Sequence, residues 1–291
     1  MNIPVRIVRR LGWTGSFNLS GRLDISGASF KVPILKGVGY YNLIDSDNHI
    51  FNLLRDLLRT RKGSFVDVGA NVGQTLLKIR AISGDIPYIG FEPNPTCIYY
   101  LSLLVRENGF RNIQLVPVAL AKHSGLAELM SYDDSGADSS ATILEGLRPN
   151  QMVRQRDLVA KLDLDSVMGS LSMDDISVVK VDVEGGESEV LETFEPLLRE
   201  KRPPFLIEVL PVYDITHTSR LERQRRLEQL VERSRYVIFR IIKSQGGSYT
   251  LDRIEEIGIH SDISMCDYLL LPEESIGHYP LPFQGRGTSR P

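Results

Sequence analysis

The chain predicts an α/β fold in which helices cover both faces of a mostly parallel, doubly wound sheet. Three observations carry that prediction. Ser64 to Ile79 runs an apolar strand through a glycine-spaced turn into an amphipathic helix. Two further apolar strands, Ile86 to Pro95 and Asn112 to Leu120, follow with a helix-like segment between them. A fourth strand opens Ser177 to Phe194 and again runs into acids and glycines before a helix. Strands alternating with helices pair in parallel through right-handed crossovers, and such sheets bind ligands beyond the strands' carboxyl ends.

Ahead of the first of these strands, Phe17 to Leu35 reads as short strands broken at Gly21 and Gly27. Asp47 to Thr60 then reads as a helix capped by Asp47, with Ile50, Leu53, Leu54, Leu57 and Leu58 forming one apolar stripe. Trp13 and the Tyr40-Tyr41 pair suit packing better than stacking on a sugar.

In the Ser64–Ile79 unit, Phe65, Val66 and Val68 suit a buried strand that ends around Asp67. Gly69 and Gly73 let the backbone turn tightly and approach a ligand. The helix is expected to begin near Val72, where its free N–H groups favour a carboxylate or phosphate. A dinucleotide fingerprint needs three glycines as GxGxxG, and Asn71 stands in place of the second, which disfavours NAD. Glu92 closes the next strand at the distance expected of an acid that binds both ribose hydroxyls; capping the segment after Pro93 is the alternative. Gly109 is placed to stop the helix Thr96 to Asn108.

Strand alternation puts Lys180, Asp182 and Glu184 on one face and Val179, Val181 and Val183 on the other. A central parallel strand is ordinarily apolar on both faces, so these charges need partners or a ligand. They could hold an ammonium, position a substrate or accept its proton; an ion-pair set closed on itself is the other reading. Ser131 to Arg148 is polar and small, a loop after the third strand that is either a lid or an exposed insertion. Ser219 to Ser234 reads as a charged sheet-covering helix. Tyr236 to Lys243 and Ser264 to Leu271 read as the last two strands, and the residues from Glu273 as a mobile tail.

With these pieces in place the chain resembles the FkbM family of S-adenosylmethionine (SAM) dependent methyltransferases, in the class I superfamily. The resemblance lies in FVDVGANVG, GFEPNP, VPVALAKHSG and VKVDVEGGE, with KLDLDSV and PFLIEVLP between and after, and spans about Gly63 to Pro211. It implies a Rossmann-like sheet of seven strands with an antiparallel last strand, preceded by a β/α extension. Residues 1–62 would be that extension, 63–272 the methyltransferase domain and 273–291 a flexible tail. It also implies that Asp67, Gly69, Asn71 and Gly73 shape the methionine and sugar side, that Glu92 holds the ribose, and that Val118 and Ala119 line the adenine. The reaction it implies is O-methylation of a hydroxyl on a small molecule, sugar, glycolipid or polysaccharide. Asp182, Glu184 and Glu208 are the candidate catalytic carboxylates, with Glu184 favoured to face the acceptor.

Composition bounds the alternatives. A net charge of −3 and the lack of a long basic block argue against nucleic acid as the partner. No run of about 18 apolar residues is present for a membrane span, and Met1 to Arg10 lacks an export signal's apolar core, so a cytoplasmic enzyme is expected. Two cysteines and five scattered histidines support no metal site; oxygen-only Mg²⁺ binding by Asp182, Glu184 and Glu208 is a lesser alternative. His49 and His123 are conceivable bases, with a surface position the default for both. A catalytically silent SAM- or nucleoside-binding scaffold is the rival function.

Overall fold

The computed structural model describes residues 18–44, 48–148, 150–171, 173 and 175–284. Expectations for Trp13, Phe17, the Asp47 cap and residues 285–291 lie outside the described residues. The first half comprises β1 (Asn18–Ile25), β2 (Ala28–Leu35), α1 (Asn48–Thr60), β3 (Ser64–Val68), α2 (Gln74–Ile82), β4 (Tyr88–Phe91), α3 (Pro95–Asn108), β5 (Ile113–Val116), β6 (Ala119–Leu120) and β7 (Gly125–Ser131). After these come β8 (Gln155–Leu162), α4 (Leu164–Met168), β9 (Ile176–Val181), α5 (Glu187–Thr193), α6 (Glu195–Glu200), β10 (Phe205–Glu208), α7 (Thr218–Arg233), β11 (Tyr236–Lys243), β12 (Tyr249–Ile254) and β13 (Asp267–Pro272). They fall into two compact units, Met1–Ser46 with Ser64–Met173, and Asp47–Gly63 with Asp174–Pro291.

In the first unit β3, β4 and β5 pair in parallel, with Asp67 opposite Gly90 and Phe91 opposite Val116. Every residue of β3 and β4 is buried, as strands covered on both faces require. Helix α3 begins as its sequence dictates: Asn94 caps it by accepting from the N–H groups of Thr96 (2.8 Å) and Cys97 (3.3 Å), and Pro95 fills the first turn. Gly109, in the left-handed region, ends it as expected. Strands β1 and β2 form one hairpin that turns at Ser26-Gly27; β1 runs unbroken through Gly21, where a Cβ would lie 2.5 Å from a Leu43 methyl.

Two further expectations are corrected in this unit, and one sheet is added. Helix α2 starts at Gln74 rather than Val72, because Asn71 (φ 44) and Gly73 (φ 82) hold left-handed conformations that no α-helix contains. The strand predicted from Asn112 to Leu120 is two strands, since Pro117 interrupts the ladder. Strand β6 then joins β8 and β7 in a separate three-stranded sheet, order β6-β8-β7, which the sequence does not predict.

The second unit orders its strands β12-β11-β13-β10-β9. Strands β9 and β10 are parallel, while β13 runs antiparallel to both β10 and β11. Of these five strands, four correspond to strands or acidic strand segments read from the sequence. The additional one is β12, antiparallel to β11. Helix α7 buries Leu221, Leu227, Leu230 and Val231, and its Arg223 and Arg226 reach Glu189 of α5 at 3.1 and 3.0 Å. Helix α1 buries Leu53, Leu54, Leu57 and Leu58 of the predicted stripe together with Phe51 and His49, while Ile50 is half-buried. The tail expected from Glu273 is corrected for its described part: Tyr279 and Leu281 are buried, and Leu251 in β12 donates to the Pro282 carbonyl at 2.9 Å.

Candidate functional site

The glycine turn between β3 and α2 is held from several sides. Gly69 and Ala70 both donate to the Phe91 carbonyl, at 2.9 and 3.1 Å, fastening the start of the turn to the end of β4. Gly69 (φ 86) and Gly73 (φ 82) both occupy the left-handed region. At Gly73 a Cβ would also lie 2.8 Å from Leu101 and 3.0 Å from Leu104, so the residue is fixed by helix packing as well as by conformation.

Glu92 stands at the centre of this arrangement. One carboxylate oxygen accepts the Asn71 N–H and the other the Asn94 N–H, each at 2.8 Å, while its own N–H donates to Val116 at 3.1 Å. The side chain therefore ties the glycine turn to the cap of α3. A carboxylate has roughly four lone-pair directions, so accepting backbone N–H groups does not by itself exclude accepting a diol. The capping role and the diol role, posed as alternatives by the sequence, are chemically compatible.

Asp67 is fully buried, and its Oδ2 accepts the Tyr88 hydroxyl at 2.5 Å. Burial, then the Asp67 charge, hold the Tyr88 phenol well above its ordinary range, so it stays a donor. Gly90, opposite Asp67, leaves room for this ring: a Cβ there would lie 2.8 Å from Tyr88 Cε1. Val118 and Ala119 are buried at the bend between β5 and β6, where Val118 donates to Val116 at 2.9 Å. Asp67, Gly69, Asn71, Gly73 and Glu92 thus meet around one turn.

Beside them lies the polar loop after β7. Asp138 is buried there and accepts from the Tyr132 N–H (2.6 Å), the Ser140 N–H (2.8 Å) and the Ser140 hydroxyl (2.7 Å). A Cβ on Gly136 would lie 3.5 Å from the Thr96 hydroxyl, which places the loop against the first turn of α3. Tyr40 is buried and Tyr41 exposed, so only the first of that pair is packing.

The second unit holds the other acids. Strand β9 ends at Val181, and Lys180 pairs with Asp182 at 2.8 Å. Glu184 does not continue the strand's face as expected: with φ 55 it sits in a left-handed turn ahead of Gly185. Glu208 closes β10 directly opposite Asp267, whose Oδ2 lies 2.8 Å from Lys243 Nζ and 4.0 Å from His49 Nε2. The Asp182 charge first, then burial and Asp267, push the Glu208 carboxyl up to about 9. His49 is buried on α1, not at the surface as expected, while His123 lies on an exposed turn.

The sequence alone does not mark Glu187, in the first turn of α5, as a site residue. It is 4% exposed and accepts the Gly185 N–H at 2.9 Å, yet burial outweighs that bond and raises its carboxyl to about 8. Its one local signal is an acid directly after the Gly185-Gly186 pair. Tyr88 and Asn42 carried none, being a strand aromatic and a loop amide. Among the described residues no group of three or more His, Cys, Asp or Glu is arranged to hold a metal ion, and no helix is long and apolar enough to cross a membrane.

The first unit thus gathers a carboxylate braced by backbone N–H groups, a left-handed glycine turn and buried apolar residues at the ends of neighbouring parallel strands. A family model described as the methyltransferase FkbM domain matches residues 67–233, more than half of the chain. No curated protein matches the chain. Among solved structures, the FkbM methyltransferase of Methylobacillus flagellatus is 16% identical over 72% of this chain, with a TM-score of 0.43. The match spans 43% of that protein, less than half its length. Precorrin-6y C5,15-methyltransferase of Geobacter metallireducens is 12% identical, covering 76% of this chain and 86% of that one at TM-score 0.37. A SAM-dependent O-methyltransferase of Thermotoga maritima is 9% identical, covering 92% and 79% at TM-score 0.38. Likeness at this level identifies no substrate.

Proposed function

Because the chain belongs to the FkbM methyltransferase family, we propose that it moves the methyl group of SAM to a hydroxyl of a small molecule, sugar, glycolipid or polysaccharide. The observation that carries the cofactor assignment is Glu92, a carboxylate braced by two backbone N–H groups at the tip of β4, beside the glycine turn. Glu92 receives the ribose hydroxyls. Asp67, Gly69, Asn71 and Gly73 contact the methionine and sugar side, and Val118 and Ala119 the adenine. When bound, SAM supplies a methyl carbon on a cationic sulfur that leaves as a neutral thioether.

The acceptor hydroxyl must lose its proton as the new carbon–oxygen bond forms, so the chain has to supply a base. Asp182 is already paired with Lys180. Glu208, protonated up to about 9, serves as a donor that fixes the acceptor. Glu184, which the sequence favours to face the acceptor, is assigned the proton in this proposal; it sits at the left-handed turn that follows β9 (φ 55). A cytoplasmic setting belongs to the same proposal.

Calorimetric titration with SAM and with NAD tests the cofactor. Saturable SAM binding without NAD binding is expected, and the reverse would end the proposal. A labelled-methyl screen over sugars, glycolipids and small hydroxylated metabolites tests the acceptor. With the acceptor in hand, Glu184→Gln is expected to cut transfer about a hundredfold or more with SAM affinity kept within about twofold. Undiminished transfer would remove the role assigned to Glu184. SAM binding with no transfer to any acceptor would favour the silent scaffold.

A further inference from the structure

The amide of Asn42 lies outside the matched family region, in the short 3-10 turn Tyr40–Leu43 that follows the β1–β2 hairpin, yet it ends inside the cofactor turn. Its Nδ2 donates to the Val72 carbonyl at 2.7 Å and to the Tyr100 hydroxyl at 3.2 Å. Tyr100 in turn donates to the Pro33 carbonyl of β2 at 2.8 Å. The residue is fully buried. The Val72 carbonyl requires a donor, which fixes the orientation of the amide and leaves Oδ1 buried with no hydrogen-bond partner among the described residues.

An amide kept with one half unsatisfied stabilises the fold less than an apolar side chain of similar size would, so its donor half must matter more than its burial. The fit around it is close. Gly39 (φ 85) faces the Tyr100 ring, where a Cβ would lie 2.1 Å from the hydroxyl. Val72 stands between Asn71 and Gly73, both left-handed, so its peptide is one that an unbraced chain would readily flip. The Asn71 N–H is held from the other side by Glu92.

We infer that Asn42 is a positioning residue for the cofactor: through the Val72 carbonyl, the N-terminal hairpin holds the Asn71–Gly73 turn in its ligand-ready shape. This rests on the function proposed above, and specifically on the glycine turn facing the methionine arm. The hairpin is thus part of the cofactor site rather than an appendage to it. Its effect falls more on ligands that carry the arm than on the bare nucleoside, which meets the turn through its sugar alone.

The test uses the full chain with Asn42→Ala and, as a milder change, Tyr100→Phe. Calorimetry is expected to give about tenfold weaker SAM and S-adenosylhomocysteine binding in Asn42→Ala, a smaller loss in Tyr100→Phe, and adenosine affinity within about twofold in both. Without any ligand, amide hydrogen exchange at Asn71–Gly73 is expected to quicken in Asn42→Ala while β3 and β4 keep their protection. Unchanged SAM affinity and unchanged exchange at the turn would overturn the inference, as would equal weakening of SAM and adenosine, which marks general loosening. If the unaltered chain bound no SAM, the proposed function would fall and this inference with it.

Discussion

Glu92→Ala is expected to weaken SAM binding by about 2 to 5 kcal/mol, roughly thirtyfold to several thousandfold. The range follows from what the carboxylate holds. Removing it orphans the Asn71 and Asn94 N–H groups, both bonded at 2.8 Å, and takes the acceptor for the ribose hydroxyls as well. Each orphaned buried donor costs about 1 to 3 kcal/mol, part of which falls on the fold rather than on the ligand. Glu92→Gln separates the contributions: it keeps the volume and one acceptor but sets an NH₂ against one of the two backbone donors, so a loss between wild type and Ala is expected. Titration calorimetry on the three proteins reads this directly. Full SAM affinity in Glu92→Ala would remove the pocket from this turn.

Glu208→Gln is expected to raise the melting temperature at pH 8, on the order of 5 °C, and to leave it nearly unchanged at pH 4 to 5. The sign follows from linkage. A carboxyl raised to about 9 keeps its proton in the native state, while the unfolded chain releases it above about 4.5. The stability it contributes is therefore complete below about 4.5 and is lost as pH rises toward 9. The groups responsible are Asp182, Asp267 and Glu184, opposed by Lys180. Glutamine copies the neutral carboxyl and cannot ionise, so it removes the loss. Glu187 adds a similar slope up to about 8. Thermal melts across pH check this; equal shifts at pH 4.5 and pH 8 would show that Glu208 is ordinary.

What the sequence makes legible is what local chemistry determines. Asn94, Pro95 and Gly109 bound α3 through capping rules that act within a few residues, and Gly69, Asn71 and Gly73 specify a turn that few other residues could form. Glu92 is visible because an acid at the end of an apolar strand has few other uses. Period-two alternation misleads at Glu184, where the chain has already left the strand for a left-handed turn. Asn42 and Tyr88 are invisible for a different reason: each acts through a partner 30 and 21 positions away, and nothing beside them signals it. Strand β12 is hidden by Asp252 and Arg253, which fall on opposite faces and break the alternation that Tyr249 and Leu251 begin.

Strand β12 ends the row in the second unit, and a terminal strand offers its unpaired amides and carbonyls to any passing chain. Here the polypeptide covers that flank itself: Leu251 donates to Pro282, Gln284 donates back to Leu251 at 2.8 Å, and Phe283 lays its ring 5.0 Å from Phe239. These late residues act as a selvedge, a finished border that keeps the sheet from recruiting neighbours. A version of the protein cut before Tyr279 would keep every residue assigned to chemistry and still be prone to polymerise.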